Sequence, residues 1–502
     1  MPDILRYLKT RNTIAHLYIK FCVFLRRESI VMKLKFTIFF TLAVILSGHV
    51  SAKSVDEATA CTVASHFFAM KFNHAPESTT PAIAYAAPLP RGENGSAPGF
   101  YVINFDSEGF VIVAGDDRVQ PILAFSDEGT FVAENMPDHI CFFLDGYIED
   151  IQYVIDNQQC ADESTLLLWK TLLSDTTPAQ KDGDVVVGPL LGNNKWNQTM
   201  YYNDLCPADA SGNSAYGGHA AVGCGALVMG QVMRYWQFPT TGIGSHSYNS
   251  SYGTLSANFG ATTYHYENMP DKLSTLNHPD SCVEAIATLL YHCGVAVNMN
   301  YGPAASVCNS NKIVAALSTY FRYPATVQYI ERGGLSSDVW LNYLKGELDE
   351  GAPFMYGGSG NYGGHVWTCD GYRDDNYFHF NWGWGGQQNG YYALTNCSSY
   401  GFNSNHAIII GIRGPELPTV IGEHRAESVK VFPNPSNGSV HVYSELQPVL
   451  ELQVFDMFGR MLFHKSVGEK EFSVDLSDYN AGTYMIRLVT DKGIETCKIV
   501  KY

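Results

Sequence analysis

The helix predicted over residues 225–236 is the strongest constraint on the middle of this 502-residue chain. Its apolar face comprises Val228, Met229, Val232, Met233 and Trp236, and Pro239 ends it because proline cannot continue a helix. Cys224 stands immediately before this helix, between Gly223 and Gly225. The dipole and the unpaired N–H groups of a helix N-terminus stabilise a thiolate, so Cys224 is a candidate nucleophile. The alternative is a buried structural or disulfide-bonded cysteine.

A thiolate nucleophile requires a general base, and His365 is the candidate for this role. Gly363 and Gly364 precede it and leave space beside the imidazole ring. The run after it predicts a strand over residues 366–369 that would hold the ring in place. The chain contains 16 histidines, so a hydrogen-bonded core histidine remains the alternative interpretation.

Three further positions would complete the chemistry of acyl transfer. Asn381 can accept the imidazole N–H and hold the working tautomer, and Trp382 can shield that bond from water. The side-chain amide of Gln198, together with the backbone N–H of Cys224, would form an oxyanion hole. The alternatives are a structural turn rich in tryptophan and glycine at residues 379–386 and an ordinary loop glutamine.

The segments along the chain differ in character. Residues 53–181 mix helical and strand patterns, which predicts a separate α+β unit, and their polar end near Lys181 is typical of an exposed, cleavable linker. Residues 182–413 place helices before strands, which predicts an α+β domain. After a linker at 414–426, residues 427–502 predict a small all-β sandwich. The predicted helices cover residues 57–72, 138–157, 225–236 and 281–292, and the predicted strands include 100–103, 109–114, 429–432, 438–442, 452–455, 483–488 and 498–500.

Residues 1–52 have the pattern of a secretory signal peptide. Two lysines after Met32 precede an apolar run over residues 36–46, and Val50 and Ala52 suit cleavage after Ala52. We expect Met32 to be the true start; a membrane anchor is the alternative, although the run is short for a stable span.

The net charge is −17, and because residues 1–36 carry +6, the other 466 residues carry −23. This excess of negative charge argues against binding to nucleic acids or anionic lipids, because both are themselves negatively charged.

In their order along the chain, these motifs resemble those of streptopain-family cysteine peptidases, which have the papain-like fold. The motifs are Trp196-Asn197-Gln198, Gly223-Cys224, residues 231–236 with Pro239, Asn300-Tyr301-Gly302-Pro303, Gly363-Gly364-His365 and Asn381-Trp382-Gly383-Trp384-Gly385-Gly386. The resemblance implies the catalytic set Cys224, His365, Gln198, Asn381 and Trp382. It also implies that Gly364 and Ser306 line the substrate cleft.

The flanking segments carry resemblances of their own. Residues 109–118 are similar to the inhibitory propeptides of this family, which implies that residues 53–181 inhibit the chain's own active site until cleavage near Lys181. Residues 431–435, 458–460 and 481–484 resemble the C-terminal sorting domain of the type IX secretion pathway. That resemblance implies the type IX machinery as a partner. It also implies a destination outside the cell, or on the outer surface, of a Gram-negative bacterium.

Gly225 departs from the family pattern, in which a β-branched residue more often follows the nucleophile. Glycine weakens a first helical turn by roughly 1 kcal/mol relative to alanine, so we expect slower catalysis or altered specificity. Export would place the other cysteines in an oxidising environment, but their spacing assigns neither pairs nor a metal site. Six of them fall in the catalytic region, namely Cys206, Cys282, Cys293, Cys308, Cys369 and Cys397.

The leading hypothesis is a secreted cysteine endopeptidase made as a zymogen, with protein or peptide substrates. It needs no cofactor or metal, only a reducing environment that keeps Cys224 free. One alternative is a catalytically silent binding module or adhesin on the same fold. Another is a Cys–His amidase or transglutaminase. The expected architecture is α+β: a papain-like catalytic domain, an α+β propeptide domain before it and a small all-β sandwich after it.

Overall fold

The computed structural model describes residues 54–72, 80–90, 98–106, 109–134, 136–174, 185–212, 214–273, 278–360, 363–394, 405–414, 429–444, 448–456, 461–490 and 493–502. The chain divides into two compact units, Met1–Gly414 and Pro415–Tyr502. The signal peptide, the cleavage region near Lys181, the Phe458-Gly459-Arg460 motif and almost all of the 414–426 linker lie outside the described residues. Within those residues, no helix is both long and apolar enough to cross a membrane.

The N-terminal part of the first unit combines helices with a four-stranded meander. The helix predicted over 57–72 is confirmed, and the one predicted over 138–157 ends one residue earlier. A third helix was not predicted; it begins where the Asp162 side chain accepts a bond from the N–H of Thr165 over 2.7 Å. The elements are α1 (Glu57–Phe72), β1 (Pro81–Ala87), β2 (Phe100–Phe105), β3 (Phe110–Ala114), β4 (Ile122–Ser126), α2 (Asp138–Asp156) and α3 (Glu163–Leu172).

The following region places most of its helices before its main strands, as predicted. Helices α4 and α5 pack closely, because a Cβ atom on Gly230 would lie 2.5 Å from Cδ2 of Leu290. The helices are α4 (Cys224–Trp236), α5 (Asp280–Ala296), α6 (Asn311–Tyr320) and α7 (Ser337–Asp349). The strands are β5 (Val185–Val187), β6 (His246–Ser250), β7 (Gly253–Ala257), β8 (Gln328–Glu331), β9 (Phe354–Gly360), β10 (Gly363–Arg373), β11 (Tyr377–Asn381), β12 (Gly390–Ala393) and β13 (His406–Ile410).

One antiparallel sheet joins these two parts of the first unit. Its order is β1-β2-β3-β4-β12-β11-β10-β9-β13-β8, and β5 pairs with β10. The connection runs through β4 and β12, where Phe125 pairs with Tyr391 and Ala124 with Tyr392. The N-terminal part was predicted as a separate unit, whereas its strands continue the sheet that carries His365. Helix α2 packs on β10 of this sheet.

The second unit is a sandwich of two antiparallel sheets, which confirms the predicted all-β fold. One sheet has the order β14-β15-β18 and the other β17-β16-β19-β20, and both contribute to one hydrophobic core. Two of its strands, β17 and β18, were not predicted. The strands are β14 (Val429–Phe432), β15 (Ser439–Ser444), β16 (Val449–Asp456), β17 (Met461–Glu469), β18 (Glu471–Asp475), β19 (Gly482–Thr490) and β20 (Gly493–Lys501).

Candidate active site

Cys224 is the first residue of α4, and the chain reaches it through a tight turn. Gly223 has a φ of +88°, a conformation that side chains disfavour. A Cβ atom on Gly223 would also lie 2.8 Å from Sδ of Met299 and 2.9 Å from the carbonyl oxygen of Ser306. Glycine is therefore required immediately before Cys224, both for the backbone conformation and for packing.

The thiol of Cys224 is half-buried, and its surroundings act on its pKa in opposite directions. Burial raises the pKa, whereas hydrogen bonds from the main-chain N–H groups of Val366 and Gly225 lower it. Burial is the larger effect, so the pKa of Cys224 is raised. The helix N-terminus alone predicts the opposite, a lowered pKa. Helix α4 packs on β10, and the influence of Val366 on the pKa places the thiol near the residue that follows His365.

His365 faces helix α2 of the N-terminal part. Its ring centroid lies 6.0 Å from that of His139 and 6.2 Å from that of Phe142. His139 is 3% exposed, and its Nε2 donates a hydrogen bond to the main-chain carbonyl of Trp382 over 3.1 Å. Burial, followed by the nearby His365, lowers the pKa of His139 to about 3. The segment predicted to be inhibitory thus contacts both the candidate base and the strand end beside it.

Asn381 lies at the end of β11, opposite Thr368 of β10, in a buried polar network. Its Oδ1 accepts hydrogen bonds from Nε2 of Gln231 and the N–H of Gly383, both over 3.1 Å. Its Nδ2 donates to the carbonyl of Asn194 over 2.7 Å. The oxygen predicted to accept from His365 is thus already bonded to two other donors, and the orienting role of Asn381 stays a prediction.

Gln231 holds this network together and is a residue whose contribution the sequence did not reveal. It is fully buried on α4, and its Nε2 donates to Oδ1 of both Asn381 and Asn194, at 3.1 and 3.0 Å. Its Oε1 accepts from the hydroxyl of Thr368 over 2.9 Å. A glutamine within an apolar helix face is the sequence signal that could have indicated such a role.

Trp382 is 1% exposed and packs in the hydrophobic core of the first unit. Its Nε1 donates to the carbonyl of Gln388 over 3.0 Å, and its ring centroid lies 4.9 Å from that of Trp367. The ring of His139 lies 5.6 Å away. Its burial agrees with a shielding role, which stays a prediction.

Gln198 belongs to a loop that is tied to both sides of the candidate site. Its carbonyl accepts the N–H of Val222, two residues before Cys224, over 3.1 Å. The carbonyl of the neighbouring Trp196 accepts the N–H of Gly385 over 2.9 Å, which links the same loop to the segment after Asn381. The side chain of Gln198 is 5% exposed. These bonds place Gln198 beside the loop that leads to the nucleophile.

The two predicted cleft residues differ in their surroundings. Gly364 lines a cavity together with His365 and Val366. Ser306 is buried, and its hydroxyl donates to the carbonyl of Ala221 over 2.6 Å, so it fastens a loop. Ser306 is not among the residues lining that cavity, and substrate contact by either residue stays a prediction.

The cysteines of this region are not paired with one another in the described residues. Five of them besides Cys224 are free thiols, namely Cys206, Cys282, Cys293, Cys308 and Cys369. Cys397 lies outside the described residues. Within the described part of the chain, no three His, Cys, Asp or Glu side chains cluster in a way that could hold a metal ion.

Three sequence families match successive parts of the chain. The peptidase C10 family matches residues 196–392, which include Cys224 and His365. The Spi protease inhibitor family matches residues 52–151, which include most of helix α2. The secretion system C-terminal sorting domain matches residues 430–502. These matches follow the order of the three segments distinguished in the sequence.

Individual relatives agree with these assignments. Streptopain of Streptococcus pyogenes serotype M1 is 32% identical over 340 residues, which are 63% of this chain and 81% of streptopain. The thiol protease/hemagglutinin PrtT of Porphyromonas gingivalis is 30% identical over 403 residues, 76% of this chain; the chain spans only 45% of PrtT. A solved structure of Prevotella intermedia prointerpain A is similar with a TM-score of 0.55 and 27% identity, over 67% of this chain and 99% of that structure.

Proposed function

Because this chain belongs to the peptidase C10, or streptopain, family of cysteine peptidases, we propose that the residues around Cys224 hydrolyse peptide bonds of protein substrates. The chain is a secreted zymogen: an inhibitor-type propeptide precedes the peptidase region, and a sorting domain follows it. The observation that carries the proposal is the packing of α4, which begins at Cys224, on β10, the strand that carries His365.

Cys224, His365 and Gln198 perform the proposed reaction in two stages. The thiolate of Cys224 attacks the substrate carbonyl carbon, and Gln198 with the N–H of Cys224 stabilises the oxyanion that forms. His365 then protonates the leaving amine, and the C–N bond breaks to give an acyl-enzyme. Water, deprotonated by His365, attacks the acyl-enzyme and releases the second product. Trp382 keeps water from the face of the sheet beside His365.

The N-terminal part inhibits this site through helix α2. His139 and Phe142 pack against the ring of His365, and His139 also bonds to the carbonyl of Trp382. These contacts cover the ring of the candidate base. Cleavage near Lys181 would allow α2 to leave and expose the ring of His365 to substrate. We propose 53–181, 182–413 and 427–502 as the limits of propeptide, catalytic domain and sorting domain.

Activity on a denatured protein tests the proposal. The chain is activated by cleavage before the catalytic domain and assayed with and without a thiol reductant, beside a Cys224→Ala variant treated in the same way. We expect reductant-dependent hydrolysis by the wild type only, and stoichiometric labelling of Cys224 by a thiol-reactive probe. Labelling without hydrolysis would favour the amidase or transglutaminase, and the absence of both would favour the binding module.

A further inference from the structure

Gly225, the residue that departs from the family pattern, has a specific packing neighbour. A Cβ atom on Gly225 would lie 2.5 Å from the Sγ atom of Cys308 and 3.5 Å from Cδ1 of Ile313. No Cβ atom approaches a sulfur so closely, so the thiol of Cys308 occupies the space that a side chain at residue 225 would fill. Gly225 and Cys308 are therefore complementary in shape.

The loop that carries Cys308 is held against the segment before the nucleophile. Asn300 and Val307 exchange two main-chain hydrogen bonds, of 2.9 and 3.1 Å. The hydroxyl of Ser306 donates to the carbonyl of Ala221 over 2.6 Å. Cys308 follows directly after these anchors, and its sulfur lies beside Gly225, whose Cα is about 3.8 Å from that of Cys224.

The two thiols also interact electrostatically. Burial, and to a smaller extent the charge of a Cys224 thiolate, raise the pKa of Cys308 to about 12. When Cys224 ionises, Cys308 therefore keeps its proton, because burial, and to a smaller extent repulsion by the Cys224 thiolate, disfavour a second negative charge. The protonated thiol of Cys308 thus lies beside Gly225, the residue that follows the nucleophile in sequence.

We propose that Cys308 is a resolving cysteine, which forms a reversible disulfide with Cys224 when a hydroperoxide oxidises the nucleophile. The inference rests on the nucleophilic role proposed for Cys224. In the first step the Cys224 thiolate attacks a peroxide oxygen and the O–O bond breaks. With hydrogen peroxide as the oxidant, hydroxide leaves, takes up a proton to become water, and leaves Cys224 as a sulfenic acid.

The second step forms the disulfide. The sulfur of Cys308 attacks the sulfenic sulfur, the S–O bond breaks, and the departing hydroxide leaves as water with the proton of the Cys308 thiol. Overall, two thiols lose two electrons and the peroxide gains them. A dithiol reductant restores both thiols by exchange, so an exported peptidase would survive oxidant exposure in an inactive, recoverable form.

Other cysteines of the region are less suited to this role. Cys293 and Cys369 are fully buried and Cys206 is 4% exposed. Cys282 is half-buried on α5, near the beginning of that helix. Among these cysteines of the described residues, Cys308 is the one whose pKa is raised by the charge of Cys224. Cys282 therefore supplies a matched control.

Peptide mapping of the full-length chain tests the proposal. The protein is treated with hydrogen peroxide, its free thiols are blocked by alkylation, and its peptides are analysed by mass spectrometry with and without dithiothreitol. We expect a dithiothreitol-sensitive link between the peptides containing Cys224 and Cys308. In Cys308→Ala, Cys224 should proceed to sulfinic and sulfonic acid, and the fraction recovered as alkylatable thiol should fall about tenfold. Cys282→Ala should behave as the wild type.

A second variant keeps the proposal testable if Cys308→Ala does not fold. In Gly225→Ala the new methyl group should displace the Cys308 thiol and reduce the yield of the link, while Cys308 itself is retained. The proposal is wrong if Cys224 of the wild type recovers no better than in Cys308→Ala. It is equally wrong if Cys224 links to another cysteine, or if neither thiol reacts in the native chain. If the Cys224–Cys308 link forms but the activated chain has no peptidase activity, the proposed function is contradicted instead.

Discussion

Nε2 of His139 donates a hydrogen bond to the main-chain carbonyl of Trp382 over 3.1 Å, and this bond ties the propeptide to the end of strand β11. The same ring lies 6.0 Å from that of His365. Because the carbonyl can only accept, Nε2 of His139 must carry a proton, and burial keeps the ring neutral. The bond that docks the propeptide therefore belongs to a group that is sensitive to acid.

Acid should weaken the docking of the propeptide through His139. Its pKa is lowered from 6.5 to about 3 in the docked state, so the released segment binds a proton more readily than the docked one. The stabilisation from His139 is complete above pH 6.5 and decreases as the pH falls, by about 1.4 kcal/mol per pH unit, until about pH 3. The thermal unfolding midpoint of the full-length Cys224→Ala chain, measured against pH, checks this.

His139→Gln provides the control for this pH dependence. A glutamine amide can donate to the same carbonyl but does not titrate in this range. Burial also lowers the pKa of His406 to about 3, so both proteins should lose stability in acid for that reason. The decrease should nevertheless be smaller in His139→Gln. Parallel curves for the two proteins would exclude a role of His139.

Gln231 should be essential for the polar network around Asn381. In Gln231→Leu, Oδ1 of Asn194, Oδ1 of Asn381 and the hydroxyl of Thr368 each lose a buried hydrogen-bond partner. We expect the free energy of unfolding to fall by about 2–4 kcal/mol. Urea unfolding of the full-length chain measures this, and Met229→Leu on the same buried helix is the control for a volume change alone. A loss equal to that of Met229→Leu would contradict the assignment.

Local patterns predicted the parts of the fold that depend on neighbours in sequence. Helix α4, with Cys224 at its start, follows from helical periodicity and Pro239, and α1 was predicted to the residue. The pairing of β4 with β12 joins residues far apart in sequence, and no local pattern indicates which edge strand meets which. Strands β17 and β18 are separated only by Lys470 and belong to different sheets, and their mixed polar and apolar residues resemble loop sequence.

The candidate site likewise has features that the local sequence predicts and features that depend on distant residues. Cys224 and His365 stand in glycine-rich contexts, and those local contexts are enough to indicate chemistry. The direction of the pKa shift of Cys224 was missed because the burial of its thiol depends on residues far away in the sequence, whereas the helix N-terminus is a local feature. Similarly, Gly225 looked like a weakness of the first helical turn. Only the position of Cys308, brought in by a loop more than eighty residues later, supplies its packing reason.

The full-length chain should remove its own propeptide. Expressed alone, Cys224→Ala should accumulate as the uncut precursor, because cleavage near Lys181 would lack the nucleophile. Gel electrophoresis and N-terminal sequencing of the wild type and the variant follow the cut. Maturation of Cys224→Ala at the normal rate without added protease would show that another peptidase performs the cleavage.

The C-terminal sandwich should be required for export but not for catalysis. It is a separate compact unit with its own core, so truncation after Gly414 should leave the first unit folded. In a host with the type IX machinery, the truncated chain should remain inside the cells and become active after purification and processing. Quantifying the peptidase in cells and culture medium checks this, and export of the truncated chain at the wild-type level would contradict a sorting role.

Gln198 should act on the transition state rather than on the bound substrate. The carbonyl oxygen gains nearly a full negative charge in the tetrahedral intermediate, and an amide donor fixed beside it binds that charge more strongly than the neutral carbonyl. The loop of Gln198 is fastened to Val222, two residues before Cys224, which limits its movement. Gln198→Ala should therefore lower kcat by roughly 10²–10³, about 3–4 kcal/mol, with little change in KM.

Alkylation separates this role from an effect on the thiol itself. Reaction of Cys224 with a haloacetamide passes through no oxyanion, so its rate in activated Gln198→Ala should equal that of the wild type. Because the main-chain bond from Val222 uses the carbonyl of Gln198, alanine preserves it and the loop should keep its position. A fall in kcat of less than about tenfold would exclude Gln198 as the main oxyanion donor. A parallel loss of alkylation rate would instead assign Gln198 to the control of the Cys224 thiolate, because only the ionised sulfur reacts in both assays.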